Sequence, residues 1–355
     1  MASKATKSST VAAKNPNPDI ADDMRPFMVK YTDGRLVRLA ASPFVPASDT
    51  SSDAAGGVAT RDVVIDPDTG VCVRLFLSVQ AIAKGTTDKK KIPLIIYYHG
   101  GAFCSGSAFS KLFHRYAESL SARAGALVVS VDYRLAPEHP IPAAYDDAWA
   151  ALLWASSFSD PWLAQHTDPK RVFLAGESAG GNIVHNVTAR ATASPESHAI
   201  GIEGIILLQP FFWGTQRQPS ETDRDDGPAF APEWVDTLWP FLTAGEAGND
   251  DPRLDPPAGE VLALHCQRAL IAVASKDLVR DRGYRYATWL RLGDRCREVT
   301  LVESKGEDHG FHLNPRAGAS AVKLMDRVVD FINRRGHRPI AAAVDPRRVV
   351  LKSRL

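Results

Sequence analysis

The residues that suggest chemistry are Gly176-Glu177-Ser178-Ala179-Gly180, which follow the apolar run 172–175 and open a helix-like stretch. A serine hydroxyl attacks a carbonyl only when it projects from a tight turn towards a base. Glycines two residues to either side let strand and helix close around it. Ser178 is the candidate nucleophile, and the Ala179 N–H, at the head of the helix, is a candidate donor to a developing oxyanion. Taken alone, the pentapeptide also fits a glycine-rich turn whose serine caps a helix.

Such a serine needs a base and an acid to orient it, and behind an elbow of this kind they follow in the order acid, then histidine. Asp277 follows the apolar run 270–274, at the carboxyl end of an expected strand, where the active-site loops of open α/β sheets gather. It is the candidate orienting acid, with Asp281 one helical turn on as the fallback. His309, after the run 299–302 and beside Gly310, is the candidate base, and His312 is its near neighbour and competitor. Upstream, His99-Gly100-Gly101-Ala102 closes another apolar run. Its paired glycines let successive amides turn inwards, so Gly100 and Gly101 join Ala179 as the expected oxyanion donors. His99 is expected to anchor that loop through a ring hydrogen bond.

These residues are presented by a regular alternation. Runs 63–65 and 71–77 flank Asp66-Pro67-Asp68-Thr69-Gly70 and predict a hairpin; the near-continuous apolar run 93–98 predicts a strand buried on both faces. Helix-like 113–124, strand 127–131, helix 143–156 and strands at 171–175, 205–208, 270–273 and 299–302 follow. Alternation of this kind predicts an α/β fold, a mostly parallel sheet with helices on both faces. A final helix over 319–335 is expected to bury Val322, Met325, Val329 and Ile332 and to stop at Gly336. The segment 26–39 reads as a lid or docking piece and 47–57 as a flexible loop. The Pro-, Asp- and Trp-rich stretch 213–263 reads as an insert capping the site. Residues 1–22 read as a disordered leader, 23–336 as one domain with its cap drawn from about 23–45 and 213–263, and 337–355 as a basic tail.

Composition narrows the partners. With 42 basic and 41 acidic side chains the formal charge is +1, which favours neither nucleic acid nor an anionic membrane. Four cysteines, Cys72, Cys104, Cys266 and Cys296, form no C-x-x-C pair, so a zinc knuckle or a secreted disulfide framework is not expected. No apolar run is long enough to span a bilayer, and residues 1–17 lack the apolar core of a signal peptide. No cofactor or metal is expected, the partner is expected to be a small molecule, and the oligomeric state is left open. Phe27, Phe103, Phe211, Trp213, Trp234 and Trp239 could line an aromatic pocket or equally pack the core. The chain ends Ser353-Arg354-Leu355, a close variant of the Ser-Lys-Leu address read by the peroxisomal import receptor, which leaves a cytoplasmic or a peroxisomal location open.

From about residue 26 to 336 the chain resembles the plant carboxylesterases, the hormone-sensitive-lipase-like branch of the α/β-hydrolases. The likeness is carried by Tyr31-Thr32-Asp33-Gly34-Arg35, His99-Gly100-Gly101-Ala102-Phe103, Asp132-Tyr133-Arg134-Leu135-Ala136-Pro137-Glu138, Gly176-Glu177-Ser178-Ala179-Gly180-Gly181-Asn182, Asp277-Leu278-Val279-Arg280-Asp281 and His309-Gly310-Phe311. It implies an N-terminal cap segment, an eight-stranded sheet, and Ser178, Asp277 and His309 acting together in hydrolysis of small aromatic or short-chain esters of plant metabolites, hormone esters included. Ala102 stands where many relatives have a third glycine. The family also holds a gibberellin receptor that has lost the histidine, which His309 argues against here, and a 2-hydroxyisoflavanone dehydratase with much the same machinery.

Overall fold

The computed structural model describes residues 19–40, 42–48, 57–79, 91–194, 201–222, 231–314 and 318–334. Residues 1–18, most of the loop at 47–57, Gly336, the basic tail and Ser353-Arg354-Leu355 lie outside the described residues. Residues 20–22, ahead of the expected boundary at residue 23, are strand. β1 (Ile20–Met24) pairs with β2 (Met28–Tyr31), and β2 with β3 (Leu36–Arg38), in a small antiparallel sheet. Met24 and Met28 are buried there, which gives residues 20–22 a reason to be strand and not leader.

The main sheet holds eight strands: β4 (Val58–Asp66), β5 (Val71–Ser78), β6 (Ile92–Tyr98), β7 (Leu127–Asp132), β8 (Thr167–Glu177), β9 (Ile202–Leu208), β10 (Arg268–Ala274) and β11 (Glu298–Ser304). Their spatial order is β11-β10-β9-β8-β6-β7-β5-β4, and only β5 runs against its neighbours. The β4–β5 hairpin turns at Asp66, whose Oδ1 accepts the Asp68 N–H at 3.0 Å, and at Gly70, with φ 77°. Alternate side chains of β6 supply separate cores, as period-two geometry requires: Leu94, Ile96 and Tyr98 face one layer, Ile95 and Tyr97 the other. On the first side lie α2 (Ala143–Ser156), α4 (Ala179–Ala193) and α8 (Arg280–Leu292); on the second lie α1 (Lys111–Ala124) and α9 (Gly318–Asn333). The short α3 (Pro161–His166), capped by Asp160, precedes β8.

One expected face needs correction. α9 buries Leu324, Met325, Val328, Phe331 and Ile332, while Val322 is 52% exposed and Val329 is only half-buried. At about 100° per residue Val322 lies roughly 120° round the helix from Val328, outside the stripe that the sheet covers. The stretch 213–263 carries α5 (Pro219–Thr222), α6 (Pro232–Leu242) and α7 (Ala258–Ala263). Arg282, fully buried on α8, ties it down by donating to Glu221 Oε1 at 2.5 Å and to the Gln216 carbonyl at 2.9 Å.

Candidate active site

Backbone close approach forms the elbow between β8 and α4. Ser178 has φ 54° and ψ −118°, and its N–H donates to the Leu208 carbonyl at 2.9 Å. Such a conformation is costly for a side chain with Cβ and persists only where its surroundings fix it. A Cβ on Gly180 would lie 1.9 Å from the Tyr98 carbonyl oxygen, and one on Gly176 would lie 2.4 Å from the Gly180 carbonyl. Both positions therefore demand glycine, and the helix start sits directly against the end of β6.

Ser178, Asp277 and His309 arrive from the loops after β8, β10 and β11, and they form one hydrogen-bonded chain from serine through histidine to aspartate. His309 Nδ1 is 2.9 Å from Asp277 Oδ2, and its Nε2 is 2.8 Å from Ser178 Oγ. A carboxylate can only accept, so the ring proton sits on Nδ1 and Nε2 is left to accept from the serine hydroxyl. Asp277 is buried and its other oxygen takes the Val279 N–H at 3.1 Å. Burial alone would lower the His309 pKa. The charge and hydrogen bond of Asp277, with Asp308 and Glu177 near by, outweigh it and raise the pKa above the ordinary value. Asp281 is elsewhere engaged: its Oδ2 accepts the Ser220 N–H at 2.9 Å and its Oδ1 pairs with Arg280. His312 points into the second core layer against Tyr116, and burial pushes its pKa down to about 3, so it stays neutral.

The loop after β6 corrects one expectation. The Gly100 N–H does not face the site freely but donates to Glu177 Oε1 at 2.6 Å. The amides of Gly101, Ala102 and Ala179 have no protein acceptor among the described residues. The free donors therefore start one residue later than the spacing suggests. The cause is the buried carboxyl of Glu177, which the Gly-x-Ser-x-Gly pattern treats as an arbitrary residue. Gly101, with φ 107°, has room for no Cβ, since one would meet the Ser105 carbonyl oxygen at 2.1 Å. Ala102 and Phe103 follow at φ 53° and 57°. His99 anchors the loop, its Nδ1–H donating to the Gly100 carbonyl at 2.7 Å while its ring stacks on Tyr133 at 4.3 Å.

A cavity of about 280 Å³ opens over Ser178 and His309. Of the six aromatic candidates, Phe27, Phe211 and Trp234 line it. Phe103, Trp213 and Trp239 do not: each is fully buried in the core, with Phe103 edge-on to Trp239 at 5.9 Å. Trp213 and Trp239 spend their ring N–H groups on Asp236 and Asp251, which fixes the insert rather than the pocket. Val235 and Leu238 of α6, Leu112 and Phe113 of α1, and Leu278 and Leu313 add to the apolar lining, and no lysine or arginine is among the described lining residues. Gln209 was not apparent from the sequence. It has φ 46°, and its side-chain carbonyl accepts the Gly310 N–H at 2.7 Å, holding the loop that carries His309.

A strand order with one antiparallel member, a serine elbow and this hydrogen-bonded chain define an α/β-hydrolase, and residues 95–313 match a family model described as the alpha/beta hydrolase fold. The chain belongs to that family. Within it the protein is carboxylesterase-like. It is 38% identical to "Tuliposide A-converting enzyme b2, amyloplastic" of Tulipa gesneriana, over 91% of this chain and 84% of that protein. It is 38% identical to "Probable carboxylesterase 13" of Arabidopsis thaliana, over 88% and 98%. It is 35% identical to the 2-hydroxyisoflavanone dehydratase of Glycyrrhiza echinata, over 92% and 99%. Among solved structures, EstE1, a thermophilic carboxylesterase cloned from a metagenomic library, superposes with a TM-score of 0.63 at 26% identity, covering 82% of this chain and 90% of that one.

Proposed function

We propose that this protein is a serine carboxylesterase acting on small, uncharged esters of plant metabolites or hormones, with aromatic or short-chain parts, through an acyl-enzyme. The observation that carries the reading is the chain from Ser178 Oγ to His309 to Asp277, at 2.8 and 2.9 Å, on the floor of an apolar cavity. Ser178 attacks the ester carbonyl while His309 Nε2 takes its proton, and the imidazolium formed is stabilised by Asp277. The Gly101, Ala102 and Ala179 amides hold the oxyanion. His309 returns the proton to the departing alcohol, and water activated by the same ring releases the acid. Ser178→Ala is expected to abolish turnover of nitrophenyl acetate and labelling by a fluorophosphonate. Undiminished hydrolysis by that variant would sink the assignment.

A second reading, elimination of water from a 2-hydroxyisoflavanone, is favoured by the dehydratase relative, which aligns almost end to end. Profiling the purified protein on a panel of esters that includes a 2-hydroxyisoflavanone separates the two. Against a non-catalytic hormone receptor stands the contact of His309 with Ser178; tight ligand binding without turnover is the result that would favour it. For location, Ser353-Arg354-Leu355 supports recognition by the peroxisomal import receptor. A fusion with its C-terminus free that stays diffuse in the cell removes that reading.

A further inference from the structure

Glu177 is the only acidic residue in the buried half of β8, 2% exposed, and it stands immediately before the nucleophile. Burying a carboxyl at the end of an apolar strand is costly unless both of its oxygens are satisfied. Here both are. Oε1 accepts the Gly100 N–H at 2.6 Å, and Oε2 is hydrogen-bonded to the Tyr97 hydroxyl. These partners lie on β6 and the loop that follows it, so the side chain bridges the elbow to the loop that carries the free amides of Gly101 and Ala102. Gly100 itself sits against this side chain, for a Cβ there would lie 3.4 Å from Glu177 Cγ and 3.1 Å from the Glu177 carbonyl oxygen.

We propose that Glu177 is a positioning residue of the reaction. One of its oxygens fixes the oxyanion loop against Ser178 through the Gly100 amide, and the same carboxyl sets the charge that His309 experiences as it becomes an imidazolium. This rests on the esterase reading. The groups facing Glu177 are Tyr97 from β6, Tyr116 from α1, Tyr133 after β7 and His309; burial keeps the three tyrosines neutral, and none of its hydrogen bonds comes from a lysine or arginine. Burial pushes the Glu177 carboxyl up to about 8, although the Tyr97 and Gly100 hydrogen bonds and the charge of His309 pull the other way. Near neutral pH the carboxyl holds its proton on Oε2 and donates it to the Tyr97 oxygen, and it accepts the Tyr97 hydroxyl once ionised. Above that value the proton leaves to solvent, and the carboxylate stabilises the imidazolium of the transition state.

Two variants test this. Glu177→Gln keeps an acceptor for Gly100 N–H and offers its amide N–H to the Tyr97 oxygen, whereas Glu177→Ala removes the anchor. With nitrophenyl acetate, Glu177→Ala is expected to lower kcat by about 10–10²-fold with KM moving less than about threefold, because a misplaced oxyanion donor acts only in the transition state. Glu177→Gln is expected to stay within about fivefold of wild type at pH 7 and to lack the further rise in kcat expected of wild type near pH 8. Active sites are counted by fluorophosphonate titration, so a folding defect in the alanine variant is seen directly, and the glutamine pH profile then decides alone. The proposal is overturned if Glu177→Ala keeps wild-type kcat, if Glu177→Gln is as slow as the alanine variant, or if wild type shows no upper step that glutamine removes. A wild type that neither labels nor turns over ester fails the esterase reading itself. A wild type that does both, beside an unimpaired Glu177→Ala, fails only this inference.

Discussion

His309 carries the pH dependence at the scale of single residues. It must be neutral to accept the proton of Ser178, and its pKa is raised because Asp277 favours the charged ring more than burial disfavours it. Activity is therefore lost as pH falls through the raised value, so the acid limb of kcat/KM is expected to have its midpoint above about 6.5, the ordinary histidine value. A pH–rate profile checks this; a midpoint below that value contradicts the assigned environment. Asp277→Asn should leave the protein folded but lower kcat by about 10⁴-fold, because asparagine no longer forces the proton onto Nδ1. Asp281→Asn, by contrast, should disturb the Ser220 contact and leave the acid limb in place. That Asp277 and His309 come after apolar runs was legible in the sequence, and the structure places them in contact with each other and His309 with Ser178. That Gly100 is occupied and Gln209 holds Gly310 was not, because both depend on side chains brought from other strands.

At the scale of elements, the elbow works because β8, α4 and the end of β6 touch through backbone. Gly180→Ala would drive a methyl group to 1.9 Å from the Tyr98 carbonyl oxygen and 2.8 Å from that of His99, and neither can retreat without moving β6. A loss of about 1–3 kcal/mol is expected in urea unfolding, with active-site titre falling further than stability because the displaced backbone carries the oxyanion loop. Gly259→Ala is the matched control. It lies in α7 with nothing within 4 Å of its Cβ, so it should be neutral or stabilising by about 0.5–1 kcal/mol. Strand and helix positions followed from runs and periodicity, but the orientation of α9 did not. Which of several apolar residues meets the sheet depends on where the helix axis lies, and Val322 is left on the outside.

In the whole molecule the cavity wall draws on segments far apart in sequence. Phe27, between β1 and β2, stands 6.0 Å from Trp234 on α6, and both line the cavity. Arg38 of β3 donates to the Cys104 carbonyl at 2.8 Å and pairs with Glu138, which ties the small sheet to the loop after β6. Trp234→Ala should raise KM for short-chain nitrophenyl esters roughly tenfold and admit longer chains, with kcat within a few-fold, since the indole lines the cavity and belongs to none of the proposed reacting groups. A chain-length series of esters checks it. The sequence alone determined the α/β class, the chain order of Ser178, Asp277 and His309 after their apolar runs, and the elbow glycines, because these follow from local periodicity and from backbone geometry that few residues allow. Tertiary structure alone decided the rest: which aromatics line the cavity and which fill the core, that Cys266 and Cys296 lie with their sulfurs 3.3 Å apart as free thiols, and that Glu177 occupies Gly100. Those outcomes depend on which surfaces meet when the sheet closes, and contacts between residues so distant along the chain leave no mark in its spacing.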